Sequence, residues 1–150
     1  MKKPYVVNLE QLQRVCSRNY ALILRLLPVH YRTEQSWQIQ LSNGLYFELE
    51  VLDIAPYTER FCLRQKNLQL PKVCNLEIEF QLFHDAQMVE VVKFQQQDNV
   101  RQNLTYPNKS LHHKDEKTQV NEHLKTWLNL AIEHQTINRH RSILQNAHSG

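Results

Sequence analysis

The sequence predicts one α+β domain: an N-terminal helix, a five-stranded antiparallel meander and a C-terminal helix. Apolar residues recur every three or four positions in residues 8–27 and again in residues 115–135, while the intervening segments alternate with a period of two. The links between the alternating segments are short, which favours antiparallel pairing. The apolar stripes of the two helices and the apolar face of the sheet must all be buried, so both helices are expected to pack on that face. The predicted domain covers residues 1–135, and residues 136–150 are expected to form a polar, mobile tail.

The first helix is predicted to begin after Asn8, whose side chain can accept a hydrogen bond from the backbone N–H of Gln11. It should end before Pro28, because proline disfavours the α conformation of the residue that precedes it. Its apolar stripe is predicted to contain Leu9, Leu12, Cys16, Tyr20, Ile23, Leu24 and Leu27.

The alternation that predicts the sheet begins at Ser36, and Asn43-Gly44 predicts the first hairpin because both residues tolerate positive φ. His84 to Gln87 is the predicted turn between the last two strands, and the polar residues 95–103 are expected to form a loop. Clean alternation predicts one buried sheet face and one solvated face. The predicted strands cover residues 37–41, 45–51, 57–65, 76–82 and 88–94.

The second helix is predicted to start near Asp115 and to bury one face of its first five turns. His123 is expected at the edge of that face. The residues predicted to be buried are Val120, Leu124, Trp127, Leu128 and Ala131.

Composition restricts the functional class only broadly. The 150 residues carry a net charge of +3, which neither requires nor excludes an anionic partner. Cys16, Cys62 and Cys74 form an odd set without a metal-type spacing, which favours reduced thiols in the cytoplasm. No secretory leader or transmembrane stretch is recognisable, so a membrane partner is not expected.

The segment from Tyr106 to Asn121 is the richest in chemically versatile side chains, and two interpretations of it stay open. Lysine and histidine beside a helix N-terminus would suit an anion. Alternatively, Asp115 caps the helix and Glu116 complements its dipole, which is the favoured interpretation. The candidate binding residues are His84, Asp85, Tyr106, Asn108, Lys109, His112, Asp115, Glu116 and Lys117.

A metal site or a nucleophilic centre has less support. The histidines and carboxylates are suitable ligand types, but no pair has a spacing known to converge on a metal. Cys16 lies on the predicted helix, Cys62 lies in a predicted strand and Cys74 lies near a strand start. Ser42 and Ser110 lack the glycine-flanked turn of a nucleophilic serine. No cofactor is therefore predicted.

The solvated face of the sheet is a further candidate for binding. Glu48, Glu50, Glu77 and Glu79 should point to it, together with Arg60 or Arg64. Cross-strand ion pairs are the favoured interpretation of these charges.

Several short motifs resemble, in order, those of the YqiB family of small, uncharacterised bacterial proteins. The resemblance covers roughly residues 8–135, is most specific in the C-terminal third and is looser in residues 29–75. It implies a single-domain cytoplasmic protein and brings no activity with it. The motifs are Arg25-Leu26-Leu27-Pro28, His84-Asp85-Ala86, Tyr106-Pro107-Asn108-Lys109, Leu111-His112, Asp115-Glu116-Lys117, Gln119, Asn121 and Trp127-Leu128.

Without a complete catalytic constellation, the first hypothesis is a non-enzymatic accessory or regulatory protein that binds another macromolecule, most simply a protein. It would use the Tyr106–Lys117 segment or the solvated sheet face. The alternative is a small hydrolase or phosphate-ligand enzyme, in which His84, Asp85, His112, Asp115 and Glu116 meet in one cleft. A third hypothesis is weak nucleic-acid binding through Arg139-His140-Arg141. The oligomeric state is left open.

Overall fold

A computed structural model describes residues 8–69, 75–97 and 114–148 of the chain. Two helices flank five strands in the predicted order. The elements are α1 (Leu9–Leu26), β1 (Ser36–Ser42), β2 (Leu45–Ile54), β3 (Thr58–Asn67), β4 (Asn75–Phe83), β5 (Met88–Gln97) and α2 (Lys114–His148). The predicted α+β class is confirmed.

Helix α1 begins and ends as its sequence predicts, but its buried face is rotated. The Asn8 side chain accepts from the Gln11 N–H at 3.0 Å, and Leu27, before Pro28, is already extended. Leu9 and Leu24, which were expected in the apolar stripe, are 51% and 48% exposed. That part of the prediction is wrong, because tertiary packing selects the face centred on Val15, Cys16, Asn19, Leu22, Ile23 and Leu26.

The five strands form one antiparallel meander in the order β1-β2-β3-β4-β5. The Asn43-Gly44 turn joins β1 to β2, and Gly44 has the positive φ of 79° that the prediction required. Strand β5 extends to Gln97, so the expected loop does not begin at Gln95; the rest of that predicted loop lies outside the described residues.

Both helices pack on one face of the sheet. The inward positions of all five strands and the buried faces of both helices form one hydrophobic cluster. In α2 the five predicted core residues are all buried, and Trp127 packs against Phe47 of β2 with ring centroids 5.1 Å apart and the ring planes tilted by 36°. The core therefore lies between the helices and the sheet, and it leaves the opposite sheet face to other uses.

A buried asparagine joins the two helices to the sheet. Asn121 Oδ1 accepts from the backbone N–H of Val91 at 3.1 Å, beside an irregularity in the β4–β5 register. Its backbone carbonyl accepts from Asn19 Nδ2 at 2.8 Å, and its own Nδ2 donates to the Lys117 carbonyl. Asn121 is 1% exposed, so these bonds satisfy polar groups that water does not reach.

Helix α2 continues through His148, into the segment expected to be a tail. The backbone there is helical, and mobility of residues 136–150 stays a prediction. Among the described segments, no helix is long and apolar enough to cross a membrane.

Candidate functional site

Two neighbouring groups of ion-paired side chains occupy the sheet face that points away from the helices. We call this surface the polar face. Every charge that the sequence placed there takes part. It is made of Glu48, Glu50, Arg60, Arg64, Lys66, Glu77, Glu79 and Lys93.

Arg64 is the centre of the polar face. Its guanidinium donates to Glu50 at 2.7 Å, to Glu77 at 3.0 Å and to Glu48 at 3.2 Å, so one cation of β3 ties β2 to β4. The Arg64 side chain is 20% exposed. A guanidinium held by three carboxylates has little rotational freedom, so the charges are fixed in position.

The ion pairs at the periphery of the polar face are longer and more exposed than those of Arg64. Arg60 and Lys93 approach Glu79 at 3.7 Å and 4.0 Å, and their side chains are 46% and 64% exposed. Exposed pairs of this kind contribute little to stability and keep their capacity to bind other groups.

Cys62 lies within the polar face yet is only 3% exposed. Burial raises the pKa of its thiol to about 12, with further increases from neighbouring glutamates, although Arg64 lowers it. The thiol is therefore protonated at neutral pH and is a poor nucleophile.

A second polar group lies at one end of the sheet. We call it the Glu59 cluster, and it consists of Tyr20, Tyr31, Glu59 and His84. The Tyr31 hydroxyl lies 2.8 Å and 2.9 Å from the two Glu59 oxygens, and His84 Nε2 lies 2.8 Å from Oε2. Tyr20 Oη lies 2.9 Å from His84 Nδ1. Four segments of the chain thus meet in one hydrogen-bonded series.

The acceptor groups of the Glu59 cluster indicate which of its atoms carry hydrogens. A glutamate oxygen facing Nε2 requires a hydrogen on that nitrogen, so a neutral His84 accepts from the Tyr20 phenol through Nδ1. Burial, and then the hydrogen bond to Glu59, raise the pKa of Tyr31 well above its ordinary value. Two donors compensate the burial of the Glu59 carboxylate, which is 7% exposed.

The predicted binding residues do not come together in one site among the described residues. His84 belongs to the Glu59 cluster, whereas Asp85 is an exposed turn residue. Lys117 lies 3.7 Å from Glu90 of β5, and Glu116 keeps one buried oxygen without a partner among the described residues. Asp115 is in the first turn of α2, and its side chain is not described. Tyr106, Asn108, Lys109 and His112 lie outside the described residues.

The sequence alone did not identify Tyr20, Tyr31 and Glu59 as members of the Glu59 cluster. One feature of the sequence does point to Glu59. Glu59 shares the inward phase of β3 with Phe61 and Leu63, and a charged residue at a core position requires a partner. The partners Tyr20 and Tyr31 are distant in the sequence, so their approach follows only from the fold. Among the described residues, no group of three His, Cys, Asp or Glu is arranged to hold a metal ion.

Comparison with known proteins places the chain in a family. The family model described as "Protein of unknown function (DUF1249)" matches residues 22–137. The chain belongs to this family.

The chain is also similar to proteins named "Uncharacterized protein YqiB" from Escherichia coli strains K12, O6:H1 and O157:H7. Each is 30% identical to this chain over 132 residues, which are 88% of this chain and 94% of the relative. No solved structure shows significant similarity. The predicted resemblance is thereby confirmed, and the names carry no activity.

Proposed function

We propose that this protein is an accessory or regulatory protein that binds another protein through the polar face. The observation that carries the proposal is the one-sided packing of the sheet. Both helices cover the apolar face, and no described helix or strand lies over the polar face.

The size of the polar face suits a protein partner. Strands of about ten residues are about 33 Å long, and five strands at about 4.8 Å spacing are about 24 Å wide. The resulting area of roughly 800 Å² equals the area that one partner buries in a standard interface.

The charge pattern of the polar face favours a protein over a nucleic acid. Its four carboxylates face four cationic side chains, so the surface has no excess of positive charge. A phosphate backbone requires a basic stripe, whereas fixed charges of both signs select a complementary protein surface. Because Arg64 already holds the inner carboxylates, little conformational entropy is lost on binding.

A cytoplasmic location is part of this proposal. It is supported by the free thiols of Cys16 and Cys62 and by the bacterial relatives.

The test compares two variants with equal charge change. Arg60→Glu with Lys93→Glu reverses the exposed cations of the polar face, and Arg14→Glu with Arg18→Glu reverses two exposed cations of α1. Each chain, wild type included, is used for affinity capture from its native cells. A partner held by wild type and the α1 variant, but reduced at least tenfold by the face variant, supports the proposal. Equal capture by both variants contradicts it.

A further inference from the structure

The Glu59 cluster has the arrangement of a nucleophilic triad. We propose that Glu59 and His84 activate Tyr20 Oη as a nucleophile toward uncharged, activated esters. This activity is separate from partner binding, because the Glu59 cluster and the polar face share no residue.

The geometry of the three side chains carries the proposal. The Glu59 carboxylate orients the imidazole by accepting from Nε2 at 2.8 Å, which leaves the Nδ1 lone pair facing the Tyr20 phenol at 2.9 Å. A hydroxyl bonded to a base that is itself oriented by a third group is the general form of an activated nucleophile. The His84 side chain is 31% exposed, so solvent reaches the imidazole at the centre of the triad.

Charge indicates the class of electrophile. Within the described residues, no lysine or arginine forms an ion pair or hydrogen bond with Tyr20, His84 or Glu59. Transferring phosphoryl groups are normally held by such cations, and the buried Glu59 carboxylate would repel an anion. An uncharged acyl group avoids both problems.

An apolar groove of about 390 Å³ provides space for the acyl chain. Leu12 and Cys16 of α1 form one wall, and Phe83 and Met88 form the other. None of the three triad residues lines this groove. Cys16 precedes Tyr20 by one helical turn on the same side of α1, and Phe83 precedes His84 directly, so the groove is built from residues next to the triad in the sequence. Burial raises the pKa of the Cys16 thiol to about 12, so it does not compete as a nucleophile at neutral pH.

The transfer is balanced without a further reactant. Tyr20 Oη attacks the carbonyl carbon of the ester, and its proton passes to His84 Nδ1. The bond between that carbon and the leaving oxygen breaks, and the imidazolium returns the proton to the leaving group. The products are acylated Tyr20 and a free alcohol or phenol.

The test uses 4-nitrophenyl butyrate and peptide mapping by mass spectrometry on the full-length wild-type chain. Tyr57 is the internal control, because it is 65% exposed and no histidine is bonded to its hydroxyl among the described residues. We expect butyrylation of Tyr20 to be at least tenfold faster than that of Tyr57, and this advantage to be lost in His84→Gln. Labelling of Tyr57 as fast as Tyr20 overturns the proposal.

Two measurements separate activation from simple exposure. His84→Gln is included only if its far-ultraviolet circular dichroism matches wild type; if it does not fold, the wild-type ratio of Tyr20 to Tyr57 decides. A folded His84→Gln that keeps the wild-type rate at Tyr20 also overturns the proposal.

Discussion

At the scale of single residues, Asn121 is the polar side chain on which the junction of helices and sheet depends. Replacing it by alanine removes the acceptor of the Val91 N–H and leaves that group buried without a partner. We expect Asn121→Ala to lower the free energy of unfolding by ~1–3 kcal/mol. Asn129→Ala, at an exposed position of the same helix, should change it by no more than ~0.5 kcal/mol. Urea denaturation measures both, and equal losses would contradict the assigned role.

His123 makes stability depend on pH. It is half-buried between Phe94 and Trp127, and burial lowers its pKa below the ordinary value of 6.5. The unfolded chain therefore takes up this proton more readily, and the contribution of His123 to stability is present above pH 6.5 and lost as the pH falls.

The corresponding prediction is a shallower acid dependence in His123→Leu. The free energy of unfolding of both chains is measured by urea denaturation between pH 7.5 and pH 5. Wild type should lose more stability over this range than the variant, in which the titrating group is absent. Parallel curves would show that His123 titrates normally in the folded protein.

At the scale of elements, the period of the apolar residues predicts the helices and strands well, since each element buries one face. Strand β3 and the Asn43-Gly44 turn are at their expected positions. The rotation of the buried face of α1 was not predictable, because an amphipathic helix with apolar residues on more than one side is oriented by its neighbours. Gln95–Gln97 pair with β4 although their sequence is typical of a loop, since an existing strand edge supplies the hydrogen bonds.

Trp127 is the aromatic side chain that helix α2 packs into the core. Trp127 is 6% exposed and contacts both Phe47 and His123. Trp127→Ala should therefore lower the free energy of unfolding by ~3–5 kcal/mol. Leu130→Ala, at a position that is 37% exposed on the same helix, is the control with a smaller loss. A Trp127→Ala variant that melts at the wild-type temperature would place this side chain outside the core.

The polar face joins three strands through Arg64, so its effect on stability belongs to the sheet as a unit. Arg64→Met leaves three carboxylates close together without the cation that they share, and we expect the free energy of unfolding to fall by about 2–3 kcal/mol, a little less than for a fully buried pair. Arg14→Met removes a pair whose side chains are 76% and 83% exposed and should change stability by ~0.5 kcal/mol or less. Urea denaturation of the two variants compares them directly, and similar losses would contradict the central position of Arg64.

At the scale of the whole molecule, the two candidate surfaces differ in how far the sequence predicts them. The polar face follows from alternation alone, because successive residues of a strand point to opposite faces. The Glu59 cluster does not, because Tyr31 and Glu59 are 28 residues apart and Tyr20 and His84 are 64 apart. Such contacts depend on how α1 and the loops are placed against the end of the sheet. His84 was recognised as a candidate by its residue type and its turn.

One-sided packing connects the architecture to the proposed function. The core needs only one face of the sheet, so the other is available to select a partner by its fixed charges. The polar face and the outer side of α1 lie on opposite sides of the core, so an experiment that distinguishes these two surfaces can locate the binding site.

The most direct measurement is amide hydrogen exchange of the wild-type chain, alone and with the partner retained by the capture experiment. The proposal predicts added protection in β2, β3 and β4, where Arg64 and its carboxylates lie, and unchanged exchange in the exposed side of α1. Protection confined to α1 or α2, with the three strands unchanged, would contradict the central claim that the polar face is the binding surface.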